Sequence, residues 1–196
     1  MKPITLLAGA LLAVAMAAPA GAHEIVYTTV LSGPAEAPPN SSPASGWAKV
    51  TFDFDLLTMQ VEASFTGLLG TTTASHIHCC TAAAGTGTAG VATQTPSFNG
   101  FPLGVSSGTY DFTYDMTQAS SYNATFLTNA GSVSGAFNAL AAGLDSGKAY
   151  FNIHTTAFPG GEIRGFLNAV PEPQTYALMA AGLAVIALVS RRRRRG

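Results

Sequence analysis

Three of the four histidines in this chain of 196 residues stand where one metal ion could bind them together. His76 and His78 flank a single residue, so on a β-strand their side chains project from the same face. His154 follows an isoleucine, as His78 does, and is placed to supply a third imidazole from a later hairpin. Three imidazoles with an open coordination position suit zinc or copper. The alternative is that these histidines only hydrogen-bond across strands and organise loops.

Four further residues bear on this candidate site. Glu162 and Arg164 share one face of a predicted strand, so they are candidates to orient an imidazole or to pair with each other. Cys79 and Cys80 follow His78 directly and are the only cysteines. In an oxidising compartment they have no other partner within the chain, so a disulfide between these neighbours is the first expectation. Free or intermolecular thiols, or a thiolate ligand to the same ion, are the alternatives.

Signatures of other catalytic classes do not occur in the sequence. No serine lies in a Gly-x-Ser-x-Gly turn, and no glycine-rich loop with a phosphate-binding lysine precedes a helix. We therefore expect that the chain is not an enzyme, with a metal-dependent redox activity as the alternative. If an ion is bound, copper and zinc are the candidates.

An alternation of apolar and polar residues with a period of two predicts a β protein. Strands are predicted at 25–32, 47–54, 59–65, 75–78, 110–114, 149–155 and 162–167. Ser/Thr starts followed by Ala/Leu spacing predict short helices at 117–127 and 132–144, and 82–104 is predicted as a long loop. The pattern favours a mainly β fold, an antiparallel Greek-key β-sandwich with one or two short helices. The side chains predicted to face inward are Val50, Phe52, Phe54, Val61, Phe65, Tyr110, Phe112, Phe151 and Ile163.

The N-terminus has the parts of a secretory signal peptide. A basic residue, Lys2, precedes an apolar stretch at 4–18 and an Ala-Gly-Ala cleavage site at 20–22. Residues 1–22 are therefore predicted to be removed by signal peptidase. The region 23–170 then carries three basic side chains against nine acidic ones, a net charge of 3 − 9 = −6. This charge argues against nucleic acid and against anionic membrane surfaces as partners.

The C-terminal segment 170–196 combines a Pro-Glu-Pro sequence, an apolar run and an arginine cluster. The residues that define it are Pro171, Glu172, Pro173, Arg191, Arg192, Arg193, Arg194 and Arg195. The apolar run predicts a short membrane helix at about 175–190, and the arginines keep its end cytoplasmic, so the preceding domain lies outside. The segment resembles the PEP-CTERM sorting signal of Gram-negative bacteria. That resemblance implies cleavage by an exosortase near 171–173 and a transient anchor; a permanent C-terminal anchor is the alternative.

Four short blocks lie in order between the terminal signals. They read Leu-Ser-Gly-Pro-Ala-Glu-Ala-Pro-Pro at 31–39, Ser-His-Ile-His at 75–78, Tyr-Phe-Asn-Ile-His-Thr at 150–155 and Pro-Gly-Gly-Glu-Ile-Arg-Gly at 159–165. Together they resemble the CHRD domain, which is named for its occurrence in the developmental regulator chordin and is widespread in exported bacterial proteins. The resemblance covers most of the predicted domain at 23–169. It implies an extracellular module without a general enzymatic activity.

These features predict an exported module that is anchored in the inner membrane before processing and afterwards lies at the cell surface or outside the cell. Its expected partners are the signal peptidase, the exosortase, and exopolysaccharide or other surface proteins. The alternative function is an extracytoplasmic protein with one mononuclear copper or zinc site, with redox activity left open. A shorter resemblance bears on this alternative: Phe-Thr-Gly-Leu at 65–68 ahead of His-Ile-His at 76–78 resembles the copper-binding strand of copper/zinc superoxide dismutases. The chain has too few histidines for the two metals of that family.

Overall fold

The structure is a computed structural model that describes residues 23–171 and, further on, 179–180, 182–184, 186–187 and 190–191. The predicted signal peptide lies outside the described residues, and so do positions 172–173 and 192–195 of the sorting signal. Within the part of the chain that is described, no helix is both long and apolar enough to cross a membrane.

Among the described residues, eight strands form one antiparallel sheet that curls into a half-barrel. The strands are β1 (Glu24–Ser32), β2 (Ser45–Asp53), β3 (Thr58–Thr66), β4 (Thr72–His78), β5 (Gly108–Asp115), β6 (Tyr150–Thr155), β7 (Ile163–Phe166) and β8 (Asn168–Ala169). Their order across the sheet is β4-β6-β7-β1-β2-β3-β5, and β8 pairs with β1. The predicted mainly β, antiparallel fold is confirmed, and β4 and β5 are the two edges of the half-barrel.

The alternation that predicted the strands also selects the core. In β2 and β3 every second side chain is buried, and the aligned pair Val50 and Val61 shows how both strands direct the same face inward. Seven of the nine side chains predicted to face inward are buried. Phe54 and Phe112 are half-buried and pack against the edge of the same core. Burying one aliphatic or aromatic side chain stabilises the fold by about 1.5–3 kcal/mol, so this shared face fixes the register of the sheet.

Two helices follow β5, and only the second lies where the sequence predicted it. Helix α2 (Val133–Asp145) begins after Ser132, whose hydroxyl accepts a hydrogen bond from the amide of Gly135 at 3.0 Å. Its apolar side packs against the core. The helix predicted at 117–127 is wrong in its first half, because α1 (Ala124–Ala130) begins only after Asn123. The Asn123 side chain caps the first amides of α1, a role that asparagine prefers over the helix interior.

The long connection between β4 and β5 runs along the free edge of β4. The amides of Ala92 and Phe98 donate hydrogen bonds to the carbonyls of Ile77 and Ser75, at 2.9 and 3.1 Å. Phe98 is also buried in the core. Backbone hydrogen bonds and a buried side chain therefore both hold the connection in place. The sequence predicted a loop over one end of the sheet. Its position beside β4 matters because it pairs with the free edge of that strand.

Candidate metal centre

The pairing of β4, β6 and β7 places the predicted site residues in adjacent rows on one face of the sheet. Residues that face each other across antiparallel strands project to the same side. The rows are His78–Tyr150–Phe166, His76–Asn152–Arg164 and Ala74–His154. The intervening residues, such as Ile77 and Phe151, belong to the apolar core. The three histidines therefore lie on the face of the sheet opposite the core. We call this face, which carries His76, His78, Asn152, His154 and Arg164, the polar layer.

The structure brings the three predicted histidines together. The ring centroids lie 5.4 Å apart for His76 and His154, and 5.8 Å apart for the two pairs that include His78. One nitrogen from each ring lies within 4.8 Å of the other two. His76 and His78 expose only 6% and 8% of their surface, and His154 is half-buried.

Each ring is oriented by one backbone carbonyl. His76 Nε2 lies 2.7 Å from the oxygen of Pro96, His78 Nδ1 lies 2.9 Å from that of Ala89, and His154 Nδ1 lies 2.9 Å from that of Pro159. A carbonyl oxygen only accepts hydrogen bonds, so the proton of each neutral imidazole is on the nitrogen that faces the carbonyl. The second nitrogen of each ring then carries a lone pair.

These second nitrogens are buried and have no hydrogen-bond partner within residues 23–171. They are Nδ1 of His76 and Nε2 of His78 and His154. Burial lowers the pKa of all three histidines, most clearly that of His78, to about 4; the carbonyl bonds oppose this shift. The rings are therefore neutral at pH 7, and their lone pairs are available to an ion.

A family model described as the CHRD domain matches residues 27–167, and one described as the PEP-CTERM protein-sorting motif matches residues 169–195. The chain belongs to the CHRD domain family. The CHRD and PEP-CTERM resemblances are confirmed, and the sorting motif means that the protein is exported, anchored in the membrane before processing, and sorted by an exosortase. No curated protein and no solved structure matches the chain.

Arg164 of the CHRD domain reaches the polar layer through an aromatic neighbour. The rings of His78 and Tyr150 are stacked, with centroids 4.8 Å apart, and the Arg164 guanidinium carbon lies 4.7 Å from the Tyr150 centroid. Arg164 also donates hydrogen bonds to the carbonyls of Ala35 and Gly87, at 2.6 and 3.0 Å. It therefore fastens two loops over the layer, and its positive charge helps to lower the pKa of His78 after the larger effect of burial.

Glu162 does not join the histidines, so the structure contradicts the expectation that it orients an imidazole. Its carboxylate accepts hydrogen bonds from the hydroxyls of Ser42 and Thr155, at 2.7 and 2.6 Å, and from the amides of Leu69 and Gly70. Four donors fix the side chain in a separate buried pocket. The expected pairing of Glu162 with Arg164 is wrong for the same reason.

Cys79 and Cys80 form a disulfide with each other. Both sulfurs lie against Gly143 of α2, where a Cβ atom would collide with them. Cys79 belongs to the apolar core, on the side of the strand away from the histidines. With both sulfurs joined, neither cysteine offers a thiolate to the polar layer in this structure.

Two residues of the polar layer were missed by the sequence interpretation. Asn152 lies opposite His76, and Glu36 comes from the loop that follows β1; both are buried. Among the described residues, the buried side-chain atoms without a hydrogen-bond partner are the three histidine nitrogens, Asn152 Oδ1 and Glu36 Oε1. The spacing of Asn152 and His154, two residues apart on β6, was a usable signal. Glu36 lies in the CHRD-like block at 31–39, but nothing there indicated that its side chain enters the polar layer, because this block is distant from the histidines in sequence.

Proposed function

We propose that this exported CHRD domain binds one copper or zinc ion through His76, His78 and His154. The observation that carries the proposal is a buried cluster in which one nitrogen of each ring lies within 4.8 Å of the other two, and in which each ring has a nitrogen without a hydrogen-bond partner among the described residues. Leaving a buried polar atom unpaired costs about 1–3 kcal/mol. One ion bound by all three nitrogens would offset this free-energy cost for all of them.

The hydrogen bonds around the site support a metal over a purely organising role. In a hydrogen-bonded histidine cluster, the nitrogens would pair with one another or with neighbouring donors. Here each ring instead donates to a carbonyl, of Pro96, Ala89 or Pro159, and its second nitrogen keeps an unpaired lone pair. An outer partner of this kind fixes the tautomer and the orientation of metal-binding histidines.

The ligand set favours copper or zinc over calcium and magnesium, which prefer oxygen ligands. Metal–nitrogen bonds of 2.0–2.1 Å in a tetrahedral site place the nitrogens about 3.3 Å apart. The present limit of 4.8 Å is wider, so each ring would move inward by less than about 1 Å on binding. The three imidazoles leave one coordination position open, as in reactive rather than structural zinc sites.

The test is elemental analysis of the mature protein purified from the cell envelope or the medium. We expect about one equivalent of copper or zinc per chain, and loss of the metal from the His76→Ala/His78→Ala variant. His23→Ala is the matched control, because His23 is exposed and lies outside the cluster. A wild-type protein that holds no metal after incubation with either ion would refute the proposal.

A second candidate function is attachment to exopolysaccharide or other surface proteins, and a different surface favours it. Trp47 and Val30 are cross-strand neighbours on β2 and β1 with 47% and 74% of their surface exposed. A flat exposed aromatic ring is a common contact for sugar faces and protein partners. Cosedimentation with exopolysaccharide from the host should weaken in Trp47→Ala and persist in His76→Ala/His78→Ala. Equal binding by Trp47→Ala and wild type would refute a role for this surface.

A further inference from the structure

Asn152 occupies the centre of the polar layer. It lies directly opposite His76 on β4 and two residues from His154 on the same face of β6. Only 3% of its surface is exposed, and its Oδ1 has no hydrogen-bond partner within residues 23–171. A buried amide beside three inward-facing imidazoles therefore offers a further polar atom at the proposed ion.

Glu36 approaches Asn152 from above the sheet. It exposes 6% of its surface, and its Oε1 likewise lacks a partner among the residues described. A Cβ atom on Gly161 would lie 2.7 Å from this oxygen and 2.7 Å from both atoms of the Asn152 amide group. The two side chains thus meet at one point, within the reach of a single bridging water.

The turn that contains Gly161 connects this meeting point with the histidines. Pro159, two residues earlier, provides the carbonyl that orients His154. The second oxygen of Glu36 lies 3.8 Å from Nε of Arg164, which fastens the covering loops. The same few residues therefore hold the third histidine and close the space around Asn152 and Glu36.

The two unpaired oxygens, Asn152 Oδ1 and Glu36 Oε1, limit which ligand could bind between them and the ion. An amide oxygen and a carboxyl oxygen both accept hydrogen bonds, so the ligand must donate. Water bound to the ion donates two hydrogen bonds and leaves its lone pair for the metal. An anion without a proton has no hydrogen bond to donate, and the negative charge of the Glu36 carboxylate would repel it.

We infer that Asn152 and Glu36 form a water-binding subsite on the open position of the metal. Asn152 Oδ1 accepts a hydrogen bond from the bound water, and Glu36 Oε1 continues the chain of hydrogen bonds. The inference rests on the proposed function. It makes the site one whose fourth ligand exchanges with small molecules, and it gives Asn152 and Glu36 the role of positioning residues.

The electrostatics of Glu36 support this role. Burial raises the pKa of Glu36 to about 7, in spite of the lowering effect of Arg164. The carboxyl is therefore present in both protonation states near neutral pH. In either state it retains an oxygen that accepts a hydrogen bond from water.

Cobalt(II) tests the inference, because its visible spectrum reports both the ligand number and the exchange of a ligand. The full mature protein is loaded with one equivalent of cobalt, its metal content is measured, and azide is titrated. In the wild type, azide should replace the water and change the visible bands. In Asn152→Leu the cobalt content should stay near one equivalent, and azide should bind about two- to tenfold more tightly, because the displaced water has lost a hydrogen bond.

Glu36→Gln is the second variant, and it is nearly isosteric, so it tests the subsite even if Asn152→Leu fails to fold. It should also strengthen azide binding, because it removes the negative charge that opposes the anion. Asn138→Leu, at an exposed position on α2, is the matched control and should titrate like the wild type. If the wild type binds no cobalt, the proposed function and the inference both fail. If it binds cobalt but azide leaves the bands unchanged, or both variants titrate like the wild type, the inference is overturned while metal binding stands.

Discussion

Neighbouring residues of β6 enter two different interiors. Phe151 and Ile153 lie in the apolar core, where fully buried side chains pack against one another. Asn152 and His154 point to the opposite face and enter the polar layer. Apolar side chains need only to pack closely, whereas each buried polar atom also needs a hydrogen-bond partner.

The polar layer does not meet that requirement. Five of its buried side-chain atoms lack a partner within the described part of the chain, and three of them are nitrogens of the histidine cluster. Buried polar groups in native proteins are almost always paired. The contrast between the two faces supports the proposed ion in this layer, and it identifies the apolar core as the expected main source of stability.

The largest expected effect comes from the apolar face. Phe151→Ala should lower the free energy of unfolding by about 3–5 kcal/mol, because it removes a fully buried ring and leaves a cavity. The loss should be the same with and without added metal, since the ring lies on the other face of the sheet. Phe151→Leu is the control and should cost less. Urea titration provides the measurement, and a loss below about 1 kcal/mol would contradict the assignment of this face as the main source of stability.

Glu36 should make the stability of the polar layer depend on pH. Burial raises its pKa to about 7 from an ordinary value near 4.5, so the folded protein holds the proton more tightly than the unfolded chain. The stabilising contribution is fully present below about pH 4.5 and is lost as the pH rises through 7, by roughly 3 kcal/mol in total. The three histidines of the layer have lowered pKa values and contribute with the opposite sign, so the measured quantity is the difference between wild type and Glu36→Gln in metal-free protein, which should change by this amount between pH 4.5 and 7.5. An unchanged slope between pH 4.5 and 7.5 in the variant would refute the assignment.

Metal should stabilise the folded protein through the polar layer alone. If the three histidines bind an ion, a free metal concentration 100 times the dissociation constant adds about 2.7 kcal/mol to the free energy of unfolding. His76→Ala/His78→Ala should not respond to metal, and His23→Ala should respond like the wild type. Thermal unfolding with and without a chelator measures the difference. An equal response of the double variant and the wild type would place the metal elsewhere.

Sequence reasoning reached the sheet and the three histidines because both depend on the same short-range rule. An alternation of two places His76 and His78 on one face and Val50 and Phe52 in the core, whatever the rest of the chain does. The resemblance of the Ile-His pairs also pointed correctly to His154. The geometry of the histidine cluster was therefore accessible from local patterns.

The parts that sequence reasoning missed depend on contacts between distant segments. Glu162 has the spacing of a site residue, but its carboxylate accepts hydrogen bonds from two other loops, including those from the amides of Leu69 and Gly70. Glu36 belongs to the CHRD-like block at 31–39, but its place in the polar layer had no local signal, because it enters the layer only when its loop folds over β7. The start of α1 was missed since Asn123 is one of several polar residues that could cap a helix there.

Glu162 offers the smallest of these effects and the sharpest contrast with Glu36, because both are buried carboxylates. Burial raises the pKa of Glu162, but the hydrogen bonds from Thr155, Leu69, Ser42 and Gly70 outweigh it, so the pKa is lowered overall. Its contribution is therefore present above the ordinary value of about 4.5 and is lost as the pH falls, the opposite sign to Glu36.

Glu162→Gln replaces one accepting oxygen with a donating amide, so at pH 7 it should cost about 2 kcal/mol, the scale of a hydrogen bond to a charged group. The loss should shrink as the pH falls below the ordinary glutamate value of about 4.5, because the contribution of the ionised carboxylate is lost in that direction. Metal content should remain that of the wild type, because the hydrogen bonds of the Glu162 carboxylate go to Ser42, Leu69, Gly70 and Thr155 and not to the histidines. Urea titration at pH 7 and pH 3.5, together with elemental analysis, checks all three results. Loss of metal from Glu162→Gln with an intact fold would show that the separation between this pocket and the polar layer is wrong.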